Sequence, residues 1–397
     1  MSDSTVCPVC GSYNLNQFLN REGVPANQNL LIGSKAQALS TTRGTLNLVI
    51  CKDCKFIFNS SFSLEDLQYG SEYDNTQSYS PYFNSYINNL IRDLVDKKGI
   101  RQQTIVEVGC GKGGFLRKLV EEGENIGFGF DPSYDGEIIE FGGRLRFEKK
   151  YYDEDCTSIQ ADVVISRHVI EHVPDPVSLL KTLRKTLKNS PNARVFFETR
   201  CVEWILKNRV MYDFFYEQCS YFSKISLSNA FQLSGFEVVN VEHIFNGQYL
   251  WIEAVVGEPK LEVQNNEINF LLKAALEYVN FEKQWRISAT EFLEFYSNNG
   301  KLAIWGAGAK GVTFLNLLDP NINFVNCVID INPNKVGKYI PGSGHEIISI
   351  EELCHREIGS ILILNPNYFE EISVLLKDLN LNIKLFSERE LMNEIRN

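Results

Sequence analysis

Two glycine-rich turns, each set between an apolar strand and a helix, constrain this fold most. Glu107-x-Gly109-x-Gly111-x-Gly113 follows the stretch TIVEV and leads into FLRKLVEEG. Gly306-x-Gly308-x-x-Gly311 follows KLAIW. A strand that ends in a glycine turn and restarts as a helix opens a βαβ unit, and its parallel sheet needs cover on both faces. The rhythm continues after the first turn. NIGFGFD, ADVVISRHV and ARVFFET read as strands, and DPVSLLKTLRKTLKN as a helix with Asp175 at its N-cap and Pro176 at the first helical position. GFEVVNVEHI and QYLWIEAVV read as a hairpin turning at Asn246-Gly247. The expected class is α/β.

At 397 residues the chain is long enough for two or three domains. Residues 1–70 are turn-rich and carry two Cys-x-x-Cys pairs. Residues 71–258 hold the first α/β unit behind an aromatic segment (Tyr73, Tyr79, Tyr82, Phe83, Tyr86) and an amphipathic stretch, YINNLIRDLVDKKG. Residues 259–300 read as a helical connector, and residues 301–397 as a second α/β unit. The formal net charge of -11 argues against a phosphate-held nucleic-acid partner. No apolar run reaches membrane-spanning length, and the opening MSDSTVCPVC lacks the pattern of a signal peptide. The expected location is the cytoplasm, with no membrane association.

Cys7-x-x-Cys10 and Cys51-x-x-Cys54 each place two thiolates beside a tight turn. Two such knuckles complete a closed, structural Cys₄ zinc site. The alternatives are unrelated surface pairs or a redox motif, although a redox motif comes singly at a helix start. The Glu-x-Gly-x-Gly-x-Gly turn, with Asp131 ending the next strand, has the form that binds S-adenosylmethionine (SAM), Asp131 taking the ribose hydroxyls. A dinucleotide fold is the alternative. Asp153, with Glu154 and Asp155, follows the third strand; it reads as an adenine contact or as a solvated loop. Arg167-His168-Val169-Ile170-Glu171-His172 closes the fourth strand, whose carboxyl end faces the site in such sheets. The 306–311 turn alone reads as a dinucleotide fingerprint, as a packing turn, or as a site for a different nucleotide.

At these residues the chain resembles the sugar C-methyltransferases that act on nucleotide-linked deoxy-keto sugars. The two Cys-x-x-Cys pairs, the glycine loop, RHVIEHVPDP, EQCSYFS, WGAGAKG and IDINPNKVGKYIPGSGHEI carry the resemblance, in that order and over nearly the whole chain. It implies an N-terminal zinc module that helps cover the acceptor. It also implies a class I methyltransferase domain that holds SAM through Glu107, Gly109, Gly111, Gly113, Asp131 and Asp153. A C-terminal Rossmann-like domain would help build the sugar-nucleotide cleft, its glycine loop not binding NAD. Substrate contacts are implied at Tyr73, Tyr79, Gln218, Lys310 and His345.

Carbon methylation next to a ketone needs a base for the α-proton and a donor for the enolate oxygen. The family commonly carries Tyr-His-Glu-His near the acceptor, whereas this chain has Phe215, Tyr216, Glu217 and Gln218. Neither phenylalanine nor glutamine can act as a base. The remaining candidates are His172, His168, Glu217, Tyr221 and Tyr216. The departure leaves open oxygen or nitrogen methylation, or a SAM-binding scaffold. An NAD oxidoreductase using the second glycine loop is a further alternative.

Overall fold

The computed structural model describes residues 5–67, 72–259, 268–387 and 390–391. Residues 260–267, within the expected connector, and 68–71, at the junction of the first two expected parts, lie outside the described residues. Among the described residues the strands form three sheets.

The central sheet is built by β4 (Thr104–Val108), β5 (Ile126–Phe130), β6 (Ile139–Glu140), β7 (Leu145–Glu148), β8 (Val163–Arg167), β9 (Arg194–Arg200), β11 (Phe236–Ile244) and β12 (Tyr249–Val256). Their order is β11-β12-β9-β8-β4-β5-β7-β6. The five strands from β9 to β7 run parallel, and β12 lies antiparallel to β9. β4 and β8 are almost wholly buried, as strands covered on both faces must be. The β11–β12 connection turns through Asn246 (φ 56°) and Gly247 (φ 86°), the left-handed backbone that an Asn-Gly pair accommodates.

The N-terminal segment is more ordered than its turn-rich composition suggests. β1 (Leu15–Pro25), β2 (Arg43–Cys51) and β3 (Ile57–Asn59) form an antiparallel sheet, completed by β10 (Ser220–Tyr221) from the central unit. The third sheet is wholly parallel: β13 (Lys301–Trp305), β14 (Val325–Ile329), β15 (Ile347–Ile348), β16 (Ile358–Ile363) and β17 (Lys384–Ser387), in the order β15-β14-β13-β16-β17.

The helix Ile268–Asn298 is more than a bridge between these units. Its Tyr278, Trp285 and Phe292 share one core with Leu46 and Leu48 of β2, Tyr212, Phe314, and Leu302 and Ile304 of β13. Arg21 of β1 donates to Glu282 at 3.1 Å and to Tyr278 at 3.3 Å, both within this buried region. A buried ion pair of this kind costs several kcal/mol to break from one side. Among the described residues no helix is long and apolar enough to cross a membrane.

Candidate active site

The two cysteine knuckles share one backbone device. Gly11 N–H donates to Cys7 O at 2.8 Å, and Lys55 N–H donates to Cys51 O at 3.0 Å. Both Gly11 (φ 73°) and Lys55 (φ 63°) are left-handed, which turns each pair of thiols toward the same point. Cys7 Sγ lies 3.4 Å from Cys54 Sγ, and Cys10 Sγ lies 3.6 Å from Cys51 Sγ. All four sulfurs lie within 4.8 Å of one another. A tetrahedral ion with bonds of about 2.3 Å to sulfur sets edges of about 3.8 Å, so the donor set and its dimensions fit such an ion. The cluster packs on Phe56, Phe222 and Phe231, in one core with the central unit.

Three glycines of the first turn do different work. A Cβ on Gly109 would meet Val169 at 2.1 Å, and one on Gly113 would meet Phe147 at 2.4 Å, so both serve close packing. Gly111 (φ 54°) faces open space, where a ligand can approach its backbone. Its N–H donates to Asp131 Oδ2 at 2.9 Å, and Asp131 Oδ1 accepts from Ser133 N and Oγ at 2.8 and 2.6 Å. Glu107 is buried below the turn, and its Oε2 has no hydrogen-bond partner among the described residues. Burial lifts its pKa to about 8, against the pull of Arg167. An orphaned carboxyl oxygen, which a nearby cation would favour in its charged form, and an open glycine cradle fit a cationic nucleoside such as SAM. Asp153 accepts the Asp155 N–H at 3.0 Å and caps a short turn.

The two histidines after β8 have different partners. His168 has φ 54°, and its ring is held between two carboxylates, Nδ1 3.0 Å from Glu171 and Nε2 2.9 Å from Glu198. Burial opposes its charge, but Glu198 and Glu171 outweigh that and raise its pKa to about 9. Glu198, desolvated yet pulled down by Arg167 and His168, falls to about 2, and it also accepts from Tyr86 Oη at 2.8 Å. At neutral pH His168 is a cation with both N–H groups committed. It cannot be the base expected of it.

His172 Nδ1–H donates to the carbonyl oxygen of Glu217 at 2.8 Å, so Nε2 is the ring nitrogen left to exchange a proton with a substrate. The Glu217 carboxylate accepts Gln28 N–H at 3.1 Å, Asn29 Nδ2 at 3.2 Å and Tyr73 Oη at 3.3 Å. Burial raises its pKa above the usual range, against these donors and His172.

Two tyrosines offered as catalytic candidates are structural. Tyr216 Oη donates to Asp66 at 2.5 Å and accepts Ser63 N–H at 2.9 Å, and its ring fills the space above Gly44. Tyr221 Oη accepts Phe215 N–H at 2.9 Å and donates to Phe215 O at 2.7 Å. Both are buried, and neither lines the cleft.

The cleft itself has a volume of about 270 Å³ and lies where the three units meet. Tyr73 and Tyr79 border it from the segment before the central sheet. His168, His172, Arg200, Glu217 and Gln218 border it from the strand ends. The turn Gly306–Gly311 and Asp330 border it from the third sheet. Gln218 Oε1 and Arg200 Nε are buried without hydrogen-bond partners among the described residues. Lys310 Nζ lies 2.8 Å from Asp213, which also pairs with Arg200. His345 is absent from this wall. It is fully buried, its Nε2 3.2 Å from Asp319 and its Nδ1 2.9 Å from Ser343, so it ties two loops together instead of meeting a substrate. Sequence reasoning missed Arg200. Arg200 ends β9, and the rule that pointed to the end of β8 also points there.

The methyltransferase domain family matches residues 82–241, and the C-methyltransferase C-terminal domain family matches residues 258–381. The C-methyltransferase NovU of Streptomyces niveus is 25% identical over 389 residues, 92% of this chain and 90% of that protein. A tRNA U34 carboxymethyltransferase of Campylobacter jejuni is 29% identical over 170 residues, 39% of this chain and 52% of its own length. Among solved structures, a Burkholderia thailandensis 1,6-didemethyltoxoflavin-N1-methyltransferase aligns with TM-score 0.34 and 15% identity, over 52% of this chain and 97% of that one. Two successive family matches, joined by a relative similar along nearly the whole length, give one conclusion: the chain is a SAM-dependent methyltransferase that carries a methyltransferase domain followed by a C-methyltransferase C-terminal domain.

Proposed function

We propose that the protein transfers a methyl group from SAM to a carbon of a nucleotide-linked keto-deoxysugar, in the cytoplasm. The observation that carries this reading is the cleft: strand-end histidines on one wall face a glycine turn and a lysine on the other. Similarity to NovU over 92% of the chain supports carbon as the methylated atom. The ten cysteines, none in a disulfide, support a reducing compartment. For the four-cysteine cluster we propose one structural zinc ion, which would supply folding energy to the N-terminal sheet.

SAM, when bound, supplies an electrophilic methyl on sulfur. Gly111 would let its nucleoside approach the backbone, Asp131 would take the ribose hydroxyls, and Glu107 would face its positive charge. His172 Nε2 takes the α-proton of the acceptor while Nδ1–H stays on the Glu217 carbonyl. The positive ring that results faces the Glu217 carboxylate. Arg200 and Lys310 place positive charge where a diphosphate would lie, and Tyr73, Tyr79 and Gln218 complete the wall. Positioning of this kind supplies most of the rate in a transfer that needs two bound reactants.

Gln218 gives a second reading some weight. Its unpartnered oxygen suits an O–H or N–H donor on the acceptor, as oxygen or nitrogen methylation would require. Incubation with methyl-labelled SAM and a panel of nucleotide-linked keto sugars separates the two. Label bonded to carbon supports the first reading, and label on oxygen or nitrogen supports the second.

A further inference from the structure

Cys201, Glu203 and His243 lie outside the cleft wall and take no part in the chemistry above. Cys201 stands at the end of β9, where the chain enters the helix Val202–Asn208, and Glu203 lies in the first turn of that helix. His243 is near the end of β11, the outermost strand of the central sheet. Cys201 Sγ is 3.7 Å from Glu203 Oε2, and His243 Nε2 is 3.4 Å from the same oxygen. All three ligand atoms lie within 4.8 Å of one another.

A tetrahedral ion with bonds of about 2.3 Å to sulfur and about 2.0 Å to nitrogen and oxygen sets a sulfur–oxygen separation of about 3.5 Å and a nitrogen–oxygen separation of about 3.3 Å. The observed separations match both. A thiolate, an imidazole and a carboxylate together suit a borderline cation and not an oxygen-seeking one such as magnesium or calcium. The burial is graded: the thiol is buried, the carboxylate half-buried and the imidazole exposed. That leaves a solvent-facing side for a fourth ligand. The Lys224 N–H donates to Glu203 Oε2 at 3.3 Å and helps fix the carboxylate.

We propose that Cys201, Glu203 and His243 form a second metal site, open to water at its fourth position, for a divalent cation of the zinc class. On binding, the thiol proton leaves to solvent and the sulfur bonds the ion. The site would tie the helix Val202–Asn208 to the β11–β12 hairpin. Cys201 N–H donates to Gln248 O at 3.0 Å, and Arg200 and Gln248 both line the cleft, so the ion would stiffen one cleft wall.

The test is metal content of the full chain after equilibration with Zn²⁺ or Co²⁺ and removal of unbound ion. Wild type should carry one more equivalent than His243→Ala and than Glu203→Gln. The count is a difference, so it holds whatever the four-cysteine cluster carries. His243 is exposed on an edge strand, so its replacement should leave the fold intact, as circular dichroism would verify. The cobalt form of Cys51→Ser should keep a sulfur-to-cobalt charge-transfer band that Cys51→Ser/Cys201→Ser loses. Equal metal content in wild type, His243→Ala and Glu203→Gln, or an unchanged cobalt spectrum in the double variant, would overturn the proposal.

Discussion

Nδ1 of His172 lies 2.8 Å from the carbonyl oxygen of Glu217, and this backbone contact sets which ring nitrogen can take a proton. It also links the end of β8 to the segment in which Phe215 and Gln218 replace the usual tyrosine and histidine. The base assignment rests on this contact, because His168 is already charged, Tyr216 and Tyr221 are buried, and Glu217 is enclosed by Gln28, Asn29 and Tyr73.

The charge on His168 has a pH signature. Its folded pKa of about 9 lies above the ordinary histidine value of 6.5. The stability it contributes is fully present below about pH 6.5 and is lost as pH rises toward 9, at most about 3 kcal/mol. Thermal unfolding between pH 6 and 9.5 should show this loss in wild type. In His168→Asn the loss should be absent, because no charge is gained on folding.

Removing the Asp131 carboxylate should weaken S-adenosylhomocysteine binding by about 1.5–3 kcal/mol, the worth of hydrogen bonds to a charged group. Calorimetry on Asp131→Ala checks it, and unchanged affinity would place the ribose elsewhere.

Gly109 and Gly111 should respond differently to alanine. Gly109→Ala adds a methyl 2.1 Å from Val169 and should cost about 2–4 kcal/mol of stability, overpacking added to left-handed strain. Gly111→Ala has open space around it and should cost about 1–2 kcal/mol, while weakening S-adenosylhomocysteine binding by more than it weakens folding. Chemical denaturation and calorimetry on the two variants separate packing from binding.

Cys51→Ser should remove one metal equivalent and loosen residues 5–67, read as faster hydrogen exchange in β1 and β2. A variant that keeps its metal and its exchange protection would remove the Cys₄ assignment.

Much of the fold was legible because local signals carry it. The strand–glycine–helix order at 104–123, the N-cap at Asp175 and the turn at Asn246-Gly247 need only neighbours in sequence. The N-terminal sheet was not legible: its pairing of β3 with β10 joins Phe58 to Ser220, and no local pattern announces such a partner. The site divides in the same way. Glu171, three residues from His168, is visible in sequence, but Glu198 is not, and Glu198 is what fixes the charge. His345 was misread because its partner Asp319 is brought to it only by the folding of the third sheet.

The central claim is that His172 removes a proton from carbon. The direct measurement is solvent deuterium exchange at the acceptor α-carbon, with S-adenosylhomocysteine in place of SAM so that methyl transfer cannot follow. Wild type should exchange the α-proton, and His172→Asn should exchange it about 10²–10⁴-fold more slowly with S-adenosylhomocysteine affinity nearly unchanged. Exchange at the wild-type rate in His172→Asn would contradict the assignment of the base. No exchange in wild type with an acceptor that it methylates would contradict carbon methylation itself.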